Sequence, residues 1–308
     1  MPMIVHLRLR ALNDHHLGPA HGEQTHAAFL ALLARTDPAL ATSLHDAPGG
    51  RPFTAGMIGG WGRDGRRALR TGQAVSWRVS VLRDDVALAV CGALASLPAD
   101  EEGHIRIGAG RFAVESSSTR AADGGRTESF DILLAEGARH AGCPTVDLEF
   151  VTPLAFSLGE QEWGGKRIEL WPLPHLVFGS LARRWTAYAP PACALLPDLQ
   201  EWVERTVLTT RHDVRTVAIT GAKGPQLGCI GTVSYRAMGK PAAPHDPHRA
   251  QWQALAAFAS YSAVGYRTAM GWGQVYRVPP VASPSPDRAG AARGRTTTPA
   301  PESEGVLS

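Results

Sequence analysis

No stretch of this sequence approaches the ~20 consecutive apolar residues that a membrane-spanning helix needs. The first residues, Met1–Arg10, alternate apolar and polar side chains and lack the apolar segment of a secretion signal. Cysteine is scarce, and its four copies are scattered with no C-x-x-C pair among them. These absences argue against a membrane protein, a disulfide scaffold and a cysteine-ligated metal site. We expect a cytoplasmic protein with buried free thiols.

The charged residues are distributed unevenly along the chain. They make up 19% of 308 residues, an ordinary share for a globular protein long enough for two domains. Between Val207 and Val278, eight basic residues outnumber two acidic ones, whereas the residues before Val207 are net acidic. A basic last third predicts a polyanionic partner, although a solvated basic face would have the same composition.

The first half of the chain shows the order strand, helix, two strands, helix, strand. This is the order of a ferredoxin-like domain, in which an antiparallel sheet is covered by helices on one face. The intervening segments Asp37–Gly50 and, further on, Ser157–Trp171 are predicted to be loops. The six elements are predicted at Ile4–Leu12, Glu23–Arg35, Arg51–Gly56, Ala74–Leu82, Asp84–Leu97 and Ile105–Glu115.

The same order restarts after Gly142-Cys143-Pro144. Its elements are predicted at Asp147–Thr152, Pro174–Tyr188, Val214–Thr220, Leu227–Arg236, His248–Ser262 and Gly273–Val278, with a further short helix at Asp198–Thr206. The fold class is therefore α+β, with two tandem ferredoxin-like (RRM-like) domains that have antiparallel sheets. We place the domains at residues 1–141 and 146–278. Residues 279–308, rich in Pro, Ser, Gly and Arg, are predicted to be a disordered tail.

A glycine-rich stretch ends the last predicted helix. Gly265, Gly271 and Gly273 fall close together, with Arg267 and Thr268 between them. Free backbone N–H groups at a helix–strand junction form a natural cradle for phosphate. The same glycines would equally suit a helix C-cap and a tight turn. Their spacing matches neither of the common nucleotide-binding loops.

Four segments in order carry a resemblance to a known family. They are S-L-H-D at 43–46 with R-P-F-T-A-G at 51–56, L-E-F-V-T-P at 148–153, G-C-I-G-T-V-S-Y at 228–235, and A-S-Y-S-A-V-G-Y-R-T at 259–268 with M-G-W-G at 270–273. With these segments the chain resembles the CRISPR-associated repeat-processing endoribonucleases of the RAMP superfamily, the Cas-six family, and it departs from the family at Ala263, where many relatives have glycine. The resemblance spans Met1 to about Val278 and implies the same tandem ferredoxin-like fold.

The resemblance also implies an activity and a partner. The protein would cleave CRISPR precursor transcripts within each repeat to generate crRNA, without a metal or any other cofactor. The 2′-OH of the substrate would attack the neighbouring phosphate, giving a 2′,3′-cyclic phosphate and a 5′-OH. CRISPR repeat RNA is the expected partner, with other CRISPR effector or adaptation proteins as further candidates.

Individual residues are carried over from the matching segments. His45 corresponds to the family's histidine after the first helix, and histidine suits proton transfer near neutral pH. Arg51 and His26 are the candidates for a second catalytic group. The RNA-binding candidates are Gly265, Arg267, Thr268, Gly271 and Gly273, with a basic surface extended by Lys223 and Arg236.

Other interpretations stay open at this stage. The histidines between His15 and His26, and those in His245–His248, have no acidic or cysteine partners that complete a ligand set, so we predict no metal site. A non-catalytic RNA-binding RAMP subunit of a CRISPR effector complex would need the same fold but not His45. A two-domain protein that binds a small anion is a third interpretation.

Overall fold

The computed structural model describes residues 1–47, 49–61, 65–98, 103–162, 164–221, 224–239 and 246–278. Met1–Val278 form one compact unit. The predicted disordered tail at 279–308 lies outside the described residues, as does Lys223.

The first sheet has the strand order of a ferredoxin-like fold. Its strands run β3-β5-β1-β7-β6, all pairs are antiparallel, and β8 pairs with β1. Helices α1 and α3 pack against each other. The elements are β1 Met3–Ala11, β2 His15–Leu17, α1 Gly22–Ala34, α2 Pro38–Asp46, β3 Phe53–Ala55, β4 Arg67–Leu69, β5 Ala74–Val81, α3 Asp84–Ala95, β6 Ile105–Ile107, β7 Gly110–Ser118, β8 Arg126–Thr127 and α4 Phe130–Arg139.

The second sheet repeats this arrangement. Its antiparallel order is β12-β13-β9-β14, so the first strand again lies between the third and the last. The predicted α+β fold with two ferredoxin-like domains is therefore confirmed. The elements are β9 Thr145–Leu154, β10 Phe156–Glu160, β11 Lys166–Glu169, α5 Pro174–Tyr188, α6 Leu199–Thr206, β12 Val207–Gly221, β13 Gly224–Ala237, α7 Pro247–Ser262 and β14 Val275–Val278.

Each sheet has its own hydrophobic core. The first core is built around Trp77 and Phe29, and the second around Trp185, Trp252 and Phe258. Helix α4, which the predicted boundary assigns to the first domain, packs against α7 and contributes to the second core. The boundary at residues 141–146 stays a prediction.

A third, smaller cluster joins the two halves. Trp61 and Met57 from the first half pack with Ala155, Ile219 and Trp272 from the second. Both tryptophans are almost completely buried. Burying apolar surface between the sheets stabilises the orientation of one relative to the other.

Two predicted loops are wrong, because each contains regular structure. Residues 38–46 form α2, whose start is capped by the Asp37 carboxylate accepting the Leu40 N–H at 2.8 Å, with Pro38 in the first turn. The predicted loop at 157–171 contains the hairpin β10–β11. Both elements are short, and local propensity is weak over so few residues.

No helix among the residues that the structure describes has the length and apolar character to cross a lipid bilayer.

Candidate active site

A cleft of about 620 Å³ lies where the two halves of the chain meet. The first half contributes His26 and Arg51, and the second contributes residues of α5 together with Gly265–Met270. Its described lining includes Arg51, Arg183, Arg184 and Arg267 and no carboxylate. A cleft of this composition favours an anionic ligand.

The glycine-rich segment that follows α7 is docked against the rest of the protein. Gly271 has a φ of +76°, and a Cβ there would lie 2.8 Å from the carbonyl oxygen of Ala55 in β3. At Gly273, with a φ of +62°, a Cβ would lie 1.8 Å from the Val264 carbonyl oxygen. These two positions require glycine because the backbone approaches its neighbours closely with positive φ. Neither glycine lines the cleft.

The prediction that this loop offers a cradle of free N–H groups is wrong for most of its length. The N–H of Gly265 donates to Ser180 Oγ at 2.9 Å. The N–H groups of Tyr266 and Gly273 donate to the carbonyls of Ala155 and Pro153. The backbone N–H groups of residues 264 and 270–272 are also paired with carbonyls. These hydrogen bonds hold the loop in place and occupy the N–H groups that make them.

Arg267 and Thr268 lie at the surface of this loop that faces the cleft. Arg267 adopts a left-handed φ of +58°, and its Nη1 donates to Glu23 Oε1 of α1 at 3.2 Å. Thr268 Oγ1 accepts a hydrogen bond from Arg184 Nη1 at 3.3 Å. Of the predicted RNA-binding residues, Gly265, Arg267 and Thr268 thus line the cleft.

Ala263, the departure from the family pattern, ends α7 in an unusual conformation. Its φ of +56° and ψ of +175° lie in a region that side chains with a Cβ rarely enter. The residue is buried, so packing holds it there. The substitution is therefore a source of backbone strain at the start of the glycine-rich loop.

His26 projects from α1 into the cleft and is largely buried. Its Nδ1 lies 3.3 Å from the Ala269 carbonyl oxygen. Because a carbonyl only accepts, this contact assigns the proton to Nδ1 and leaves Nε2 as an acceptor. Burial lowers the pKa of His26, and the nearby positive charges of Arg51 and His45 lower it further, although the bond to Ala269 opposes the shift. His26 is thus set up to accept a proton.

His45 occupies the last turn of α2, outside the described lining of the cleft. Its side chain is 69% exposed, and its Nδ1 lies 2.8 Å from Asp46 Oδ1. Arg51 connects it to the cleft: the Arg51 Nε donates to the Leu44 carbonyl at 3.1 Å and its Nη2 to the His45 carbonyl at 2.7 Å. Arg51 therefore both caps the C-terminus of α2 and lines the cleft. The structure brings His26 and Arg51 together and leaves His45 at the edge.

Helix α5 supplies cleft residues that the sequence analysis missed. Arg183, Arg184 and Tyr188 all line the cleft. A signal was present in the sequence: Arg184 follows the buried Val177 and Leu181 at helical spacing, so it places a charge on the apolar face.

Arg236 is not part of the described lining of the cleft. Arg236 is exposed on β13, opposite Leu208 of β12. The predicted RNA contacts of Arg236 and Lys223 stay predictions, as do those of Gly271 and Gly273. Across the described part of the chain, no three His, Cys, Asp or Glu side chains form a group that could hold a metal ion.

Comparison with known proteins agrees with this arrangement. The family model described as CRISPR-associated endoribonuclease Cas6 matches residues 148–275. No curated protein sequence matches the chain. The structure of Thermus thermophilus Cas6 (TTHB231) as a product complex shares 24% sequence identity, with a TM-score of 0.74 over 90% of this chain and 99% of that chain.

Two further solved structures have the same fold. The product complex of Cas6 (TTHA0078) is 22% identical, with a TM-score of 0.67 over 91% of this chain and 100% of that chain. A Cas6-related protein from Pyrococcus furiosus is 12% identical, with a TM-score of 0.61 over 91% and 100%. The family match over the second half and the fold shared along nearly all of the described chain confirm the resemblance to the Cas6 family that the sequence motifs predicted.

Proposed function

We propose that this protein is an endoribonuclease that cleaves CRISPR precursor transcripts within the repeat to generate crRNA. The observation that carries the proposal is the cleft itself, in which arginines and a neutral histidine meet without a carboxylate in the described lining. The family match supports the substrate class. The similar solved structures include two Cas6 product complexes and a Cas6 substrate mimic complex, which also supports an RNA-processing role for this chain.

The reaction follows from the groups in the cleft and needs no metal ion. The 2′-OH of the nucleotide before the cut attacks the adjacent phosphorus, and the 5′-oxygen of the next nucleotide leaves. A base must remove the proton of the 2′-OH, an acid must protonate the leaving oxygen, and cations must stabilise the charge on the phosphorane. Histidines and arginines supply all three roles. The products are a 2′,3′-cyclic phosphate and a 5′-OH.

The two histidines divide the proton transfers in this proposal. His26 takes the proton of the 2′-OH, because its Nε2 is an acceptor in the neutral ring. His45 serves the leaving oxygen, with Asp46 orienting its ring through Nδ1. Arg51 holds the end of α2 and presents its charge to the cleft. As a permanent cation, it stabilises charge and does not transfer protons.

The test is cleavage of an end-labelled repeat RNA in EDTA, beside an identical RNA with one 2′-deoxy nucleotide at the cut site. We expect cleavage of the all-ribose strand only, with a cyclic phosphate on the upstream fragment. Cleavage that stops in EDTA, or that cuts the 2′-deoxy strand, would exclude this mechanism.

One observation favours the alternative of a non-catalytic RNA-binding RAMP subunit. His45 lies outside the described lining of the cleft and is mostly exposed. Tight binding of the repeat RNA without any cleavage, at every pH from 5 to 9, would support that alternative over the enzyme.

A further inference from the structure

Helix α5 buries an arginine in the wall of the cleft. Arg184 is only 8% exposed, although its helix neighbours Val177 and Leu181 are the apolar residues expected on a buried face. A charged guanidinium at such a position is costly unless its donors are satisfied. The way these donors are paired therefore indicates what the residue is for.

The Arg184 side chain has one hydrogen-bond partner and two nitrogens without one. Its Nη1 donates to Thr268 Oγ1 at 3.3 Å, whereas Nε and Nη2 are buried and have no partner among the described residues. The Tyr188 ring centroid lies 6.0 Å from the guanidinium carbon. Burial lowers the pKa of Arg184 to about 10, so the side chain still carries its charge at neutral pH.

Arg267 and Arg184 line the same cleft but differ in whether a carboxylate is their partner. Arg267 is paired with the Glu23 carboxylate. No acidic residue is described in the lining near Arg184, and its hydroxyl and aromatic contacts are neutral. A buried cation without an anionic partner destabilises the free protein, and an arriving anion would remove that penalty.

We propose that Arg184 is an anion-binding residue that contacts the phosphate at the cut site, with Thr268 and Tyr188 holding its guanidinium in position. This inference rests on the proposed endoribonuclease function. Arg184 would face Arg51 across the bound phosphate, so each half of the chain would supply one cation. Planar guanidinium groups bind phosphate through two parallel N–H donors, which a single ammonium cannot reproduce.

If Arg184 binds phosphate, replacing it should lower the cleavage rate without lowering the stability of the protein. If its role is structural, replacing it should lower the stability. Arg184→Met removes the buried charge and keeps the length of the side chain. We expect its single-turnover cleavage at saturating RNA to fall ~10²–10³-fold, as for the loss of one transition-state donor, while its melting temperature stays the same or rises. Arg184→Lys should recover only part of the rate. Arg205→Gln, which alters an exposed arginine of α6, is the matched control and should cut at the wild-type rate.

A second measurement is independent of cleavage. Pyrophosphate, compared with sodium chloride at equal ionic strength, should raise the melting temperature of the wild-type protein more than that of Arg184→Met. A lower melting temperature for Arg184→Met, with an unchanged rate per folded molecule and an equal pyrophosphate shift, would overturn the proposal and make Arg184 structural. If the wild-type protein fails to cut RNA, the proposed function is wrong, and the pyrophosphate comparison still decides whether Arg184 binds anions.

Discussion

The two walls of the cleft carry different chemistry. The wall from the first half presents His26 and Arg51, while His45, at the end of α2, lies outside the described lining. The wall from the second half presents Arg183, Arg184 and Arg267, whose charge is permanent. Both walls come from halves with the same strand order. The comparison teaches that two halves with one fold can bring different side chains to a shared cleft, because the histidine of the described lining comes from the first half and three of its four arginines come from the second.

The largest expected effect is that of replacing a histidine to which we assign a proton transfer. His45→Ala should lower the single-turnover cleavage rate by ~10²–10⁴-fold, the usual value for one acid–base group, with the affinity for repeat RNA unchanged. His140→Ala, an exposed histidine at the end of α4, is the control and should retain the wild-type rate. A near wild-type rate for His45→Ala would remove His45 from the mechanism.

The pH dependence of cleavage tests whether His26 acts as the base. His26 must be neutral to act as a base, and burial places its pKa below the ordinary value of 6.5. The midpoint of the decline in rate at low pH should therefore lie below pH 6.5. Because the Arg51 charge contributes to this lowering, Arg51→Gln should move the decline to higher pH.

Stability should respond to pH through the same residue. A histidine whose pKa is lowered by folding contributes stability that is complete above its unfolded pKa and is lost as the pH falls through the folded pKa. His21 is also buried and His15 is half-buried, and burial lowers the pKa of both, so His26→Gln should remove only part of the acid sensitivity measured by urea unfolding. An unchanged pH dependence in both cleavage and unfolding would show that His26 is not the titrating group.

A smaller effect on RNA affinity is expected from changes to the ion pair that joins the loop of the second half to α1 of the first. The ion pair with Glu23 partly neutralises the positive charge of Arg267, which belongs to the wall from the second half. Arg267→Gln should weaken RNA binding and reduce the slope of log affinity against log salt by ~1. Glu23→Gln should do the opposite, because it frees Arg267 for phosphate. Equal salt slopes in the three proteins would mean that Arg267 does not contact RNA.

The smallest expected effect concerns the loop that carries the second wall. Ala263→Gly should relieve strain of ~1–3 kcal/mol, offset by the greater chain entropy of glycine of roughly 0.5–1 kcal/mol. A net gain of about 1 kcal/mol corresponds to a rise in melting temperature of ~2–4 °C for a protein of this size class. Ala259→Gly, inside α7, is the matched control and should lower the melting temperature. A lower melting temperature for Ala263→Gly than for the wild-type protein would show that Ala263 is not strained.

Much of the fold could be predicted from local patterns. Alternating strands and the amphipathic helix at 23–35 were recognisable because their periods are set by neighbouring residues. The hairpin β10–β11 and helix α2 were missed, since each is too short for its period to stand out. For α2 a local signal existed in Asp37 followed by Pro38, which is a helix start.

The candidate site was predicted less completely. Motifs near His45 and Arg267 marked the two walls, and His26 and Arg51 line the cleft as residues named from the sequence. Arg184 was missed although its helical spacing from Val177 and Leu181 distinguishes it from the exposed Arg183, because the sequence does not show which face of α5 meets the cleft. The N–H groups of the glycine-rich loop were predicted to be free because their acceptors, among them Ser180 and Pro153, are distant in the chain.

The sequence by itself determined the order of strands and helices and the repetition of that order, since these depend on the period of apolar residues. Tertiary structure alone decided which positions of the loop require glycine, which charges share the cleft, which N–H groups are already paired and that two nitrogens of Arg184 have no partner among the described residues. Those properties depend on how the two halves pack, and packing brings together side chains that no local pattern relates.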